Sequence, residues 1–212
     1  MEKINVISIP FYKFQSEKQL NEKIFNDIIK LPYIPEVDPN LGSVYEDYYN
    51  EDLFDWFNIC VNKVSKELYL DSLSFPIVDC WVNKYTAINR LKKHNHSNSV
   101  ICGLYYVTGH DSGQTIFQHP NPWTYSSEGP KFYLSIDKNS SQPLEGRITP
   151  QEGTLILFPG NLYHYMNTYK DTKNTRYTIA FNTFPSGELS NRKSMRLAIK
   201  TSSMQDMHRK GK

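Results

Sequence analysis

The sequence predicts a mostly β protein, an antiparallel double sheet or jelly roll with two flanking helices buttressing one face. Three observations carry this. Two segments with helical periodicity come first, short segments rich in β-branched and aromatic residues separated by turn chemistry follow from about Phe75, and no internal repeat interrupts either half. At 212 residues the chain fits one compact domain with a single core. Its expected organisation is an N-terminal strand with supporting helices over 1–74, a sheet core over 75–190 and a basic tail over 200–212.

Taken in order, residues 4–13 alternate well enough for an edge strand. Ser16-Glu17-Lys18-Gln19 has the spacing of a capping box, so Ser16 is expected to open a helix carrying Leu20, Ile24, Ile28 and Ile29 on one face up to Leu31-Pro32. A loop rich in Pro, Asp and Asn follows. Over about Glu51 to Leu70, the residues Leu53, Phe54, Phe57, Val61, Val64 and Leu68 fall at helical spacing and predict a second helix on the same side of the fold. Strands are expected at Ile77–Tyr85, Val100–Val107, Gln114–Gln118, Lys131–Ile136, Thr154–Phe158, Leu162–Asn167 and Arg176–Phe184. The stretch from His119 to Pro150 reads as mostly loop, in which Trp123 and Tyr125 either line a substrate cleft or pin the loop down.

Composition narrows the function classes. A formal charge of +2, spread over 24 basic and 22 acidic residues, gives no general attraction to nucleic acid or membrane. Only His208-Arg209-Lys210-Gly211-Lys212 is locally basic, and it reads as a solvated tail. The apolar start Ile4–Pro10 is short and broken by Pro10, unlike a secretory signal, and no run approaches transmembrane length. Cys60, Cys80 and Cys102 are odd in number, lack metal-type spacing and lie in apolar stretches. Buried free thiols in a reducing compartment, hence a cytoplasmic protein, are expected.

The chemistry-bearing stretch is Lys93-His94-Asn95-His96-Ser97. In extended backbone, side chains two apart share a face, so His94 and His96 point the same way and can hold one metal ion. Downstream, Gly153-Thr154-Leu155-Ile156-Leu157-Phe158-Pro159 reads as a buried strand ending in a turn, with His164 just after it. Twelve residues further, Arg176 opens a strand on which Arg176 and Thr178 share one face and Tyr177, Ile179 and Phe181 the other. Three protein ligands on one face of a ferrous ion leave positions open for a bidentate co-substrate and dioxygen, and an arginine offers a charged fork to a distant carboxylate.

With those residues in view, the segment from about Trp81 to Phe184 resembles the iron(II)- and 2-oxoglutarate-dependent oxygenases, most closely the prolyl-hydroxylase-like branch. The resemblance lies in the motif order, the paired Tyr105-Tyr106 after the first motif, the buried strand ending in Phe158-Pro159 and the spacing from His164 to Arg176. It implies a double-stranded β-helix of cupin-like type, Fe(II) as metal, and 2-oxoglutarate and dioxygen as co-substrates. It also implies hydroxylation of a prime substrate, either a peptidyl side chain such as prolyl or a small molecule. By the same resemblance His94 and His164 are metal ligands, Arg176 with Thr178 grips the outer carboxylate of 2-oxoglutarate, and Tyr106 and, more loosely, Tyr85 are further co-substrate contacts.

The departure is at His96, where the family's usual motif has Asp or Glu. Imidazole suits iron, so His94, His96 and His164 form the expected ligand set, with a carboxylate from elsewhere such as Asp111 as the alternative. Two other readings stay open: a cupin-like three-histidine metal enzyme that does not use 2-oxoglutarate, and a non-enzymatic jelly-roll binding module. His110, His119 and His208 read as packed or solvated residues.

Overall fold

The protein is described by a computed structural model, and its structure is described over residues 9–36, 38–69, 72–110, 113–118, 145–171, 173–189 and 197–210. The strand expected at Lys131–Ile136, most of the loop containing Trp123 and Tyr125, and Asp111 and His119 lie outside these residues, as does the first part of the strand expected at 4–13.

In chain order the elements are β1 (Tyr12–Gln15), α1 (Lys18–Ile28), β2 (Ile34–Pro35), β3 (Ser43–Tyr45), α2 (Glu51–Leu68), β4 (Leu73–Ser74), β5 (Ile77–Tyr85), β6 (Leu91–His94), β7 (Ile101–Tyr106), β8 (Thr115–Gln118), β9 (Glu145–Ile148), β10 (Thr154–Pro159), β11 (His164–Met166), β12 (Arg176–Thr183), β13 (Ser186–Glu188), β14 (Ala198–Ile199) and α3 (Met204–Lys210). A large antiparallel sheet has the order β1-β10-β7-β12-β5-β3-β2, and a smaller one runs β6-β11-β8-β9. A third, short sheet joins β14, β13 and β4.

Alternation along the strands assigns the two faces of the large sheet. Val82, Tyr105, Leu155, Leu157, Ile179 and Phe181 form one buried cluster with Ile24 and Ile28 of α1 and Leu53, Phe57, Val61 and Val64 of α2. Burying these apolar side chains drives the helices onto the sheet. On the opposite face Cys102, Tyr106, Ile156 and Phe158 pack with Phe117 of β8, which joins the small sheet to the large one. At the other end Tyr85 meets Met166 of β11 and Tyr169.

α2 starts where the sequence places it, because the Asn50 side chain accepts the Leu53 amide at 3.2 Å and Glu51 and Asp52 occupy its first turn. α1 does not use the capping box. It begins at Lys18 with no side-chain cap, and the Ser16 hydroxyl instead lies 2.9 Å from the buried Tyr105 hydroxyl, which also donates to Asn21 at 2.6 Å. The serine hydroxyl is thus engaged in a buried tertiary hydrogen-bond network with Tyr105 and Asn21 rather than at the helix end.

The basic end is also corrected. Rather than a solvated tail, Met204–Lys210 is a helix whose Met204 is buried in the main core. Gln205 bonds to Asn58 and Asp55 of α2, Arg209 pairs with Glu51, and the His208 ring stacks on Tyr49 at 4.5 Å. Cys60, Cys80 and Cys102 are free and buried. Among the described residues no helix is long and apolar enough to cross a membrane.

Candidate metal and co-substrate site

The cleft between the two sheets is lined from the large sheet by Trp81, Asn83, Tyr85, Leu104, Arg176 and Thr178 among others, and from the small sheet by Leu91, His94, Thr115, His164 and Met166. His96 reaches it from the β6–β7 connection.

Pairing of β6 with β11 makes His94 and His164 Cα partners, although 70 positions separate them in sequence (164 − 94). The connection carrying His96 is fastened to the β10–β11 turn: the His96 amide donates to the Gly160 carbonyl at 2.8 Å and the Gly160 amide to Val100 at 3.1 Å. As a result the ring centroids of His94, His96 and His164 lie 4.4 to 5.2 Å apart, and one nitrogen from each falls within 4.8 Å of the others. No carboxylate joins this cluster among the described residues.

The hydrogen bonds set the tautomers. His94 Nδ1 lies 2.8 Å from the Lys92 carbonyl and His164 Nδ1 3.0 Å from the Leu162 carbonyl. A carbonyl can only accept, so each Nδ1 carries the proton and each Nε2 keeps its lone pair for a metal. Burial pushes the His96 and His164 rings down to about 4, with neighbouring His94 adding to both and the Leu162 bond pulling His164 back. Both rings are therefore neutral at neutral pH, the form that ligates metal. Phe158 and Phe117 edge the His164 ring at 5.0 and 5.7 Å, and Trp81 stacks on His96 at 5.7 Å.

At the other end of the cleft stands Arg176, 2% exposed. Its Nη1 donates to the Gly113 carbonyl and contacts Met166 Sδ at 2.8 Å, and its guanidinium lies 5.6 and 5.5 Å from the Tyr85 and Tyr106 ring centroids. Gly113 has φ +68°, a backbone conformation that favours glycine, and it sits beside Arg176 Nη1. Arg176 Nε is buried without a hydrogen-bond partner, and no acidic residue pairs with this arginine among the described residues. A buried guanidinium costs desolvation energy, and here the described residues supply no anion to offset it.

Cross-strand register orders the large-sheet wall. Arg176 faces Tyr85, Thr178 faces Asn83 and Ala180 faces Trp81, each pair neighbouring the next along β12 and β5. Thr178 is buried, with Asn83 Nδ2 at 3.5 Å from its hydroxyl. Burial pushes the Tyr85 hydroxyl up to about 12, against the pull of Arg176, so it stays protonated and able to donate. Tyr106 points to this face and Tyr105 to the helices; the Tyr106 hydroxyl donates to Thr115 at 2.8 Å, so it bears on the cleft through Thr115.

Six of the seven residues singled out in the sequence, Tyr85, His94, His96, His164, Arg176 and Thr178, line one cleft, and Tyr106 stands behind Thr115 rather than in its lining. Trp81, Asn83, Thr115 and Met166 were not singled out. For Trp81 and Asn83 the signal was present, because strand alternation places them on the face of Tyr85.

Comparison with known proteins follows the same outline. Residues 79–182 match the family model described as “Putative 2OG-Fe(II) oxygenase”. A prolyl-4-hydroxylase from Pseudomonas putida superposes with a TM-score of 0.61 at 11% identity, covering 84% of this chain and 94% of that one. HygX from Streptomyces hygroscopicus, with nickel, 2-oxoglutarate and hygromycin B bound, gives 0.60 at 13% identity, covering 93% and 95%. A prolyl hydroxylase from Trichoplax adhaerens in complex with a hypoxia inducible factor peptide fragment gives 0.54 at 14% identity, covering 82% and 83%. At such identities the likeness is one of fold, a double-stranded β-helix core. No curated protein sequence matches the chain.

Proposed function

We propose that this chain, whose residues 79–182 match the 2OG-Fe(II) oxygenase family model, couples oxidative decarboxylation of 2-oxoglutarate to succinate with hydroxylation of a prime substrate. The observation that carries the reading is the pairing, in one cleft, of a three-imidazole cluster with a buried arginine that lacks an acidic partner among the described residues.

The residues fit both absent groups. His94, His96 and His164 present imidazole nitrogens in a compact group, a donor set that suits ferrous iron. Arg176 offers an unsatisfied N–H deep in the cleft, Thr178 a buried hydroxyl and Tyr85 a protonated phenol, which together match the outer carboxylate of 2-oxoglutarate. When bound, ferrous iron supplies the redox chemistry by which dioxygen oxidises 2-oxoglutarate and the prime substrate. The chain's own work is positional. Backbone carbonyls of Lys92 and Leu162 hold the two Nδ1 protons, Arg176 anchors and orients the co-substrate, and Phe158, Leu104 and Trp81 supply apolar wall. No protein acid or base is required.

For the prime substrate, the neighbouring structures include one with a peptide and one with hygromycin B, so both a peptidyl side chain such as prolyl and a small molecule remain the proposed classes. A cupin-like three-histidine enzyme without 2-oxoglutarate is the second reading, favoured by His96 standing where an acid is usual. Incubation with Fe(II), ascorbate and 2-oxoglutarate separates the two. Slow substrate-independent succinate formation, lost in Arg176→Ala, is expected for the oxygenase; equal metal-dependent activity in both proteins without succinate supports the second reading.

A further inference from the structure

We infer that His96 makes metal binding conditional on the anionic co-substrate: the three-imidazole site holds a divalent ion weakly alone and much more tightly once 2-oxoglutarate is present. This deepens the metal- and 2-oxoglutarate-binding reading above and rests on it.

The inference follows from charge. Among the described residues the lining of the cleft contains no aspartate or glutamate, and no carboxylate joins His94, His96 and His164. Arg176 already places one positive charge in the cleft without an acidic partner among the described residues. A divalent ion brings the total to three positive charges, one from Arg176 and two from the metal, in a site screened less than the open surface. A dianion cancels two of the three, so metal and dianion must favour each other's binding, and reciprocity makes the factor equal in both directions. An aspartate at 96 would neutralise part of the metal charge beforehand and leave the dianion less to gain.

Packing makes His96 a fixed part of this balance. Its ring lies 5.2 Å from the His164 ring at 9° and 5.7 Å from Trp81 at 27°, and its amide is tied to Gly160. The imidazole cannot swing out to admit another side chain without losing both ring contacts.

The test uses the full chain and Co(II), which binds imidazole sites without reacting with air on the timescale of a titration. Calorimetry gives the Co(II) dissociation constant with and without saturating 2-oxoglutarate. In the wild type, 2-oxoglutarate is expected to tighten Co(II) by about 100-fold, near the upper end for coupled sites. In His96→Asp, Co(II) alone should bind more tightly and the factor should fall to about tenfold or less. Azide, a monoanion able to fill an open metal position, should tighten Co(II) in the wild type and not in the variant. Equal factors in the two proteins would overturn the role of His96 while leaving the oxygenase reading intact. If His96→Asp does not fold, a wild-type factor below about fivefold overturns the inference by itself. Failure of 2-oxoglutarate to bind with Co(II) present would remove the oxygenase reading as well.

Discussion

His94 and His164 are Cα partners across β6 and β11, and their rings meet at 4.4 Å with both Nδ1 atoms committed to backbone carbonyls. Each is therefore held by its strand rather than by the metal. Either His94→Ala or His164→Ala should abolish retention of iron, nickel or cobalt, read by elemental analysis after equilibrium dialysis. Circular dichroism should show the fold retained, because both residues stand on strands held by their backbone pairing. Undiminished metal in both variants would remove the site.

Arg176→Met keeps bulk at a fully enclosed position and removes a charge whose Nε has no partner. A buried guanidinium with no acidic partner among the described residues carries a desolvation cost that an apolar side chain of similar volume does not. The variant should therefore unfold at the wild-type temperature or above it. What it should lose is ligand-induced stabilisation: with metal present, 2-oxoglutarate at 100 times its dissociation constant stabilises the wild type by about 2.7 kcal/mol. The melting curve of the variant should not respond to 2-oxoglutarate, and an equal response in both proteins would take Arg176 out of the co-substrate site.

Gly103 lies on β7 directly beneath Phe181, where a Cβ would come within 2.2 Å of the ring. Phe181 in turn packs on Phe57 of α2 at 4.6 Å, so the ring has no room to retreat. Gly103→Ala should destabilise the protein by about 1–3 kcal/mol in urea unfolding, the usual range for overpacking. A change below 0.5 kcal/mol, the spread of ordinary surface substitutions, would contradict this packing.

Much of the fold was legible because strand alternation and core burial coincide. β5, β7, β10 and β12 carry enough β-branched and aromatic residues to declare themselves, and Leu53, Phe57, Val61 and Val64 do the same for α2. β6 was not legible: Leu91-Lys92-Lys93-His94 has one apolar residue, and it is a strand because β11 pairs with it. β9, Glu145–Ile148, is as polar and owes its form to β8. α3 buries Met204 but exposes most of the rest, too short a pattern to read as amphipathic. Ser16 misled for a different reason, since its local capping signal lost to the buried Tyr105 hydroxyl.

At the site, the order of His94, His96, His164 and Arg176 was readable, whereas the lack of an acidic partner for Arg176 among the described residues was not. That feature depends on which side chains the two sheets bring together. The residues beside Arg176, notably Met166 and the Gly113 carbonyl, come from β11 and from just before β8 and leave no local trace around position 176.

The central claim is that one cleft binds a divalent metal through the histidine cluster and 2-oxoglutarate through Arg176 together. Its most direct measurement is an anaerobic titration of the purified protein with Fe(II) and 2-oxoglutarate followed by visible absorption. A weak charge-transfer band should appear only when both are present, and should be absent in His164→Ala and Arg176→Met. No band in the wild type, together with no binding of 2-oxoglutarate by calorimetry in the presence of Fe(II), would contradict it.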